Sequence, residues 1–410
     1  MPPLPPSPSR APVPFLAGVL LSLLAATVST DAGADAEFAR CLDALRAQSS
    51  QRGVHTTTFD THARGLSPDM AVIGFLDAQP EFRTAIWDYL AGLVDAERVA
   101  DGQAMRAQWA DTLAAIEARY RVDAATVVAV WGVESNYGRN FGQRPLLQSL
   151  ATLSCFGRRQ DFFRGEFFTA LQIVEQGHVD PERLTGSWAG AFGHTQFMPS
   201  TFKRLAVDFD GDGRRDLISS IPDALASTAN FLAQAGWQHG QPWGIEVRLP
   251  AGFDSARAGR RAKRSVQEWA ALGVRRADGS ALPAAAERAG LILPAGIDGP
   301  AFLTLRNFDA LFSYNAAESY ALAIAHLADR IDGGAAHFHT PWPTDDPGLS
   351  RAERREVQRL LLARGFDIGE VDGMLGTRSR RAIAELQSQL GLEADGRAGQ
   401  RLLEMLRRQD

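Results

Sequence analysis

"VVAVWGVESNYG", Val127 to Gly138, places one carboxylate, Glu134, in a run that is otherwise almost wholly apolar. Val127, Val130 and Trp131 precede it by seven, four and three residues. On a helix those spacings share one face, so the pattern predicts a buried helix carrying an ionisable group toward its own core. Desolvation disfavours the charged form of a carboxyl. A carboxyl that keeps its proton near neutral pH can act as a general acid. The competing reading is a structural Glu paired to a core Arg. The small and polar residues that follow, "SNYG", favour the wall of a cleft.

Outward from this helix, the chain has 410 residues, enough for two or three domains. Hydrophobic residues make up 45% and charged residues 22%, an ordinary globular balance. The net charge of −5 gives no global basic field to attract nucleic acid. The basic residues are nearly all Arg, with Lys only at 203 and 263. Arg10 precedes "VPFLAGVLLSLLAAT", too short for a comfortable membrane span, and "ADA" at 34–36 offers a cleavage site. Residues 1–36 therefore read as a secretory signal and the mature protein as periplasmic, with an uncleaved anchor as the alternative. Cys41, in "FARCLDAL", lacks the small-residue context of a lipoprotein cleavage site. Cys41 and Cys155 are the only cysteines, and in an exported chain they form one disulfide or remain two buried thiols.

The pattern from about 37 to 120 is helical, with Phe82, Ile86, Tyr89, Leu90 and Leu93 at helical spacing. Further helices broken by Gly-rich loops run to about 235. "WGIEVRLP", "GLILPAG" and "AFLTLRNF" fit short strands between 240 and 310, and a helix returns at "YALAIAHLADRI". "HTPWPTDDPG" (339–348) reads as a linker. After it, Ser350 and Glu353 make a capping box, and a second helix carries Ala382, Ile383, Leu386 and Leu390. "DGxxG" occurs twice, at 372–376 and 395–399, each time before a helical segment. In the stretch "GSWAGAFGHTQFMPSTF" (186–202), glycines allow close approach of backbone to a ligand. Ser187 and Gln196 offer neutral hydrogen-bonding groups there, and Phe192, Phe197 and Met198 offer apolar faces, a combination suited to sugars.

"VWGVESNYGRNFG", "LATLSCFGRRQDFF", "GSWAGAFGHTQFMPSTF" and "SYNAAESYALAIAHLADRI" resemble the lytic murein transglycosylase B family of bacterial cell-wall enzymes, in order from about residue 38 to 335. Residues 350–410 resemble the small helical peptidoglycan-binding module, with Leu386 where an aromatic is common, which predicts a weaker ligand groove. The resemblance implies a mainly α (α+β) fold. A lysozyme-like catalytic domain over 37–338, with a small β insertion, is followed by a linker at 339–349 and a three-helix module at 350–410. It implies cleavage of the β-1,4 bond between N-acetylmuramic acid and N-acetylglucosamine without added water, leaving 1,6-anhydromuramic ends. It makes Glu134 the single acid/base. Ser187, Gln196, Tyr89, Tyr314 and Asn315 are then expected to contact sugar, and Arg158 and Arg159 to grip the carboxylates of the peptide stem.

"DFDGDGRRDLISSIPD" (208–223) resembles the start of a Ca²⁺ loop. Asp208, Asp210 and Asp212 fall at positions 1, 3 and 5, Gly213 at 6 and Arg214 at the backbone-carbonyl position 7. Position 12 is Ser219 instead of Glu, leaving Asp223 as a late carboxylate if the loop is long. The alternative is an Asp-rich turn without metal. The chemistry itself is expected to need no cofactor. The expected partners are peptidoglycan strands and proteins of cell-wall synthesis or turnover. Two further functions stay open at this point: a non-catalytic peptidoglycan-binding protein, and a lysozyme-type hydrolase of the same bond.

Overall fold

The computed structural model describes residues 28–76, 84–283 and 287–408. The leader through residue 27, and Phe82, lie outside the described residues. The "ADA" of the expected cleavage site falls within the first helix.

The helices α1 (Val28–Gln48), α2 (Thr56–His62) and α3 (Ala71–Phe75) open the chain, followed by α4 (Ile86–Leu93), α5 (Ala96–Gln108), α6 (Ala110–Tyr120) and α7 (Ala124–Ser135). Next come α8 (Leu146–Cys155), α9 (Gln160–Glu175), α10 (Pro199–Leu205) and α11 (Ile221–Gln234). Strands β1 (Arg144–Pro145) and β2 (Thr185–Gly186) make a short antiparallel pair among them. They hold the loop before α8 against the Gly-rich stretch.

Two cores sit side by side in this helical body. One gathers α4 to α7 with α11 and two later helices, α13 (Arg306–Asn315) and α14 (Glu318–Ile331), around Trp131 and Tyr320. The other gathers α1 to α3 with α8 to α10 around Phe167, Phe192 and Phe202. Cys41 of α1 and Cys155 of α8 are joined in a disulfide, Cα to Cα 5.8 Å, which decides between the two readings of the cysteines. In the chain-entropy picture a bridge across a separation of 114 residues contributes about 4–5 kcal/mol.

The three alternating segments become β3 (Gly244–Arg248), β6 (Arg288–Ile292) and β7 (Ala301–Thr304); with β4 (Gly259–Ser265) and β5 (Arg275–Arg276), which the pattern did not mark, they form one antiparallel sheet in the order β4-β6-β7-β3-β5. A short helix, α12 (Val266–Ala271), follows β4 and packs Trp269 into the sheet's own core. The sheet lies between α11 and α13, an insertion that leaves the helical body intact.

The module after residue 349 has three helices, α15 (Arg351–Ala363), α16 (Thr377–Gln389) and α17 (Gln400–Arg408), around Val357, Leu361, Ile383 and Leu403. Ser350 and Glu353 form the expected capping box at the start of α15. The two DGxxG turns are read by one device used twice. Gln358 accepts from Gly373 N–H at 2.7 Å and donates to Asp372 at 2.9 Å; Gln387 does the same with Gly396 at 2.8 Å and Asp395 at 2.7 Å. Both glycines sit at positive φ, where a side chain would be strained. Leu386 is buried in this core, so it packs the module and does not form a ligand groove.

The segment read as a linker is strapped down. The amides of His339 and Thr340 both donate to the Glu246 carboxylate of β3 at 2.8 Å. Phe338 packs on His326 and Phe302, and Trp342 packs on Phe338. The proline-rich composition reports an extended chain, not a free one.

Candidate active site

Helix α7 is apolar all round, as a helix enclosed by its neighbours must be: Val127 through Val130 are fully buried. Its start is held by Asp123, whose carboxylate accepts from the Trp237 indole at 2.8 Å and from Gly240 N–H at 3.2 Å. Its end is abrupt, with Asn136, Tyr137 and Gly138 all at positive φ. A Cβ on Gly138 would meet the His194 ring at 2.5 Å, so only glycine fits that third step. Ser135 donates to the His194 carbonyl at 2.6 Å and accepts from Gly138 N–H at 3.0 Å. The Trp131 indole donates to His194 Nδ1 at 3.0 Å. Burial lowers the His194 pKa to about 4, so at neutral pH this imidazole is uncharged and can accept that bond.

Glu134 is thereby fixed on the last turn of α7, with Tyr320 of α14 donating its phenolic hydrogen to Oε1. Burial pushes the Glu134 carboxyl up to about 7, against the opposing effect of the Tyr320 hydrogen bond. Burial and the nearby Glu134 charge also raise the Tyr320 pKa, so the phenol stays a donor. Tyr314 stacks on Tyr320, centroids 6.2 Å apart, and donates to the Thr195 carbonyl at 2.7 Å. The result is a carboxylic acid poised to give up or regain a proton near neutrality.

Glu134 opens into a cavity of about 640 Å³. Tyr89 and Asn315 line it, together with Thr84, Asp88, Val133 and Tyr320. Ser187 and Gln196 are absent from this lining. Ser187 Oγ accepts from Ala191 N–H at 3.0 Å, and the Gln196 amide donates to the carbonyls of Gly193 and Phe141 at 2.9 and 3.1 Å. Both side chains hold the Gly-rich loop in shape. Tyr314 lies behind Tyr320 and does not line the cavity. Arg158 and Arg159 do not line it either: Arg158 donates to the Leu76 carbonyl, and Arg159 covers the Phe162 ring at 4.5 Å. The arginines that do reach the cavity are Arg354, Arg380 and Arg397, all from the C-terminal module.

Sequence reasoning missed these three and Tyr320. A tyrosine at the head of the otherwise aliphatic "YALAIAHL" face was the available signal for Tyr320. Among the described residues lining the cavity, the carboxylates besides Glu134 are Asp88 and Asp395. Asp88 is held two-pronged by Arg397 at 2.7 and 2.9 Å. Asp395 accepts from Gln387 and from Arg397 N–H.

In the acidic loop, Asp208, Asp210 and Asp212 bring carboxylate oxygens within 4.8 Å of one another. Asp223 does not join them. It is fully buried and accepts from the amides of Phe209 at 2.7 Å and Asp216 at 2.9 Å, closing the loop onto α11. The Arg214 side chain turns away to Asp180 and the His178 carbonyl.

Residues 37–329 match the family model described as the transglycosylase SLT domain, and residues 350–406 match a putative peptidoglycan binding domain. The chain is 32% identical over 249 residues to membrane-bound lytic murein transglycosylase B of Escherichia coli, covering 59% of this chain and 66% of that protein. It is 48% identical to SltB3 from Pseudomonas aeruginosa, solved in complex with NAG-anhNAM-pentapeptide, with a TM-score of 0.73 over 90% of this chain and 99% of that one. Slt35 of Escherichia coli, solved in complex with calcium, is 29% identical, with a TM-score of 0.63 over 73% of this chain and 93% of that one.

Proposed function

The chain belongs to the SLT-domain transglycosylases, and we propose that it is a lytic transglycosylase that cuts peptidoglycan between N-acetylmuramic acid and N-acetylglucosamine. One observation carries this reading: Glu134 stands in the cavity half-protonated near neutrality, while the other carboxylates of the wall are engaged elsewhere.

Retaining glycosidases that form a covalent intermediate use two carboxyl groups about 5 Å apart. A single poised acid suits a substrate that brings its own stabilising group. Protonated Glu134 gives its proton to the leaving glycosidic oxygen as the C–O bond breaks. The N-acetyl group of the muramic acid takes up the positive charge at the anomeric carbon, as in substrate-assisted glycosidases. Ionised Glu134 then removes the proton of the same sugar's 6-hydroxyl, whose oxygen bonds to the anomeric carbon and closes the 1,6-anhydro ring. The Tyr320 hydrogen bond steadies the carboxylate between the two transfers. The attacking hydroxyl is tethered, so it outcompetes water by proximity.

The reading is tested by mass spectrometry of digested peptidoglycan. Wild-type products are expected one water lighter than lysozyme products, and Glu134→Gln is expected to bind glycan without cutting it. Reducing muramic ends would make the protein a hydrolase. Intact binding with no cutting by the wild type would favour a binding protein.

The apolar leader fits export to the compartment that holds the substrate. Asp208, Asp210 and Asp212 fit a hard, oxygen-liganded cation. Ca²⁺ held there would stabilise the loop before α11 and supply no chemistry to the cavity.

A further inference from the structure

The cavity at Glu134 is completed by the C-terminal module, and the module is seated there firmly. Arg351 of α15 pairs with Asp95 at 2.9 Å, with both side chains under 10% exposed. Its guanidinium also donates to Asn136, two residues past Glu134, at 2.6 Å. Arg355 pairs with Glu97 at 2.6 Å. These contacts, with the strapped segment before them, make the module one wall of the cleft and not a loosely tethered neighbour.

Of the three arginines in that wall, two are engaged in the seating. Arg354 donates to the Asp88 carbonyl at 3.0 Å, and Arg397 holds Asp88 and Asp346. Arg380 differs. Its Nε donates to the Leu375 carbonyl at 2.9 Å, which fixes the direction of the guanidinium. The residue is exposed, and among the described residues no carboxylate pairs with its terminal nitrogens. Arg354 stands close enough to feel its charge. Two like charges in one wall repel, and an anion between or beside them relieves that repulsion. A planar fork with free N–H groups matches a carboxylate.

We propose that Arg380 is a specificity-determining residue of the cleft, binding a free carboxylate of the stem peptide on muramic acid. This rests on the reading of the cavity as a peptidoglycan site. The glycan backbone passes Glu134, and the stem rises from its lactyl group toward the module wall, where Arg380 meets it. The module thereby contributes to choosing which strands are cut, beyond any part it has in holding the enzyme on the wall.

The test uses the full-length protein and short glycan oligomers carrying the same stem peptide with carboxylates either free or amidated. The wild type is expected to favour the free form about tenfold in kcat/KM, as one charge-assisted contact allows. Arg380→Gln is expected to narrow that ratio to within about twofold, mainly through KM, because a contact made equally in ground and transition states is lost. Arg380→Lys should restore part of the preference. Calorimetric binding of the same pair to Glu134→Gln reads the preference without turnover, so failure of the catalytic reading does not decide this one. Equal use and equal binding of both oligomers by proteins with Arg380, or an undiminished preference in Arg380→Gln, would overturn the proposal.

Discussion

Replacing Glu134 by Gln removes the proposed acid/base, and it is expected to make the folded protein more stable at alkaline pH. In the fold the carboxyl titrates at about 7, against an ordinary 4.5. Between those values the folded state holds a proton that the unfolded state has released. Stability therefore falls as pH rises through this window, and the loss is complete above about 7. At 1.36 kcal/mol per pH unit the gap amounts to about 3 kcal/mol. Gln mimics the protonated acid and escapes the loss. For a cooperative unit of roughly 300 residues, with an unfolding entropy of about 2.1 cal/mol/K per residue, 3 kcal/mol corresponds to about 5 °C in Tm. The assay is calorimetry of wild type and Glu134→Gln at pH 4 and pH 8. The two proteins should melt together at pH 4, and the variant should melt several degrees higher at pH 8. The same difference at both pH values, or a variant less stable at pH 8, would refute the claim that burial holds this proton.

Tyr320→Phe deletes the hydrogen bond that favours ionised Glu134. The alkaline limb of kcat/KM, set by loss of the acid's proton near 7, should move up by about one pH unit. An unmoved limb would mean that Tyr320 does not tune the acid. For the acidic loop, Ca²⁺ should raise the Tm of the wild type over that seen with chelator and leave Asp210→Ala unchanged; an equal response in both proteins would exclude the site.

Glu134 was legible in the sequence because its placement is local: three apolar neighbours at helical spacing define a buried face without help from the rest of the chain. Strands β3, β6 and β7 and the three helices of the module were legible for the same reason, since alternation and capping act over a few residues; β4, "GRRAKRS", has no apolar alternation and was missed. What the sequence hid depends on distant partners. Tyr320 meets Glu134 across 186 positions, and no period connects them. "RAERREVQR" reads as a solvated, charged face, yet Arg351 is buried because Asp95 waits on another domain. Ser187 and Gln196 have the chemistry of sugar ligands, but a loop full of glycines needs internal hydrogen bonds to hold one shape, and their polar groups supply them. Arg158 and Arg159 likewise have a charge suited to substrate and neighbours that occupy it.

The Cys41–Cys155 bond has a topological meaning beyond its strength. It closes a ring of covalent chain, and Glu134 lies on that ring. If one peptide bond anywhere between the two cysteines is hydrolysed, both pieces remain a single molecule. The end of α1 and the helix that carries Glu134 stay on one covalent loop even when a local opening parts the two cores. A break within this stretch therefore opens the ring without releasing a fragment, and the acid remains joined to the fold that holds its proton.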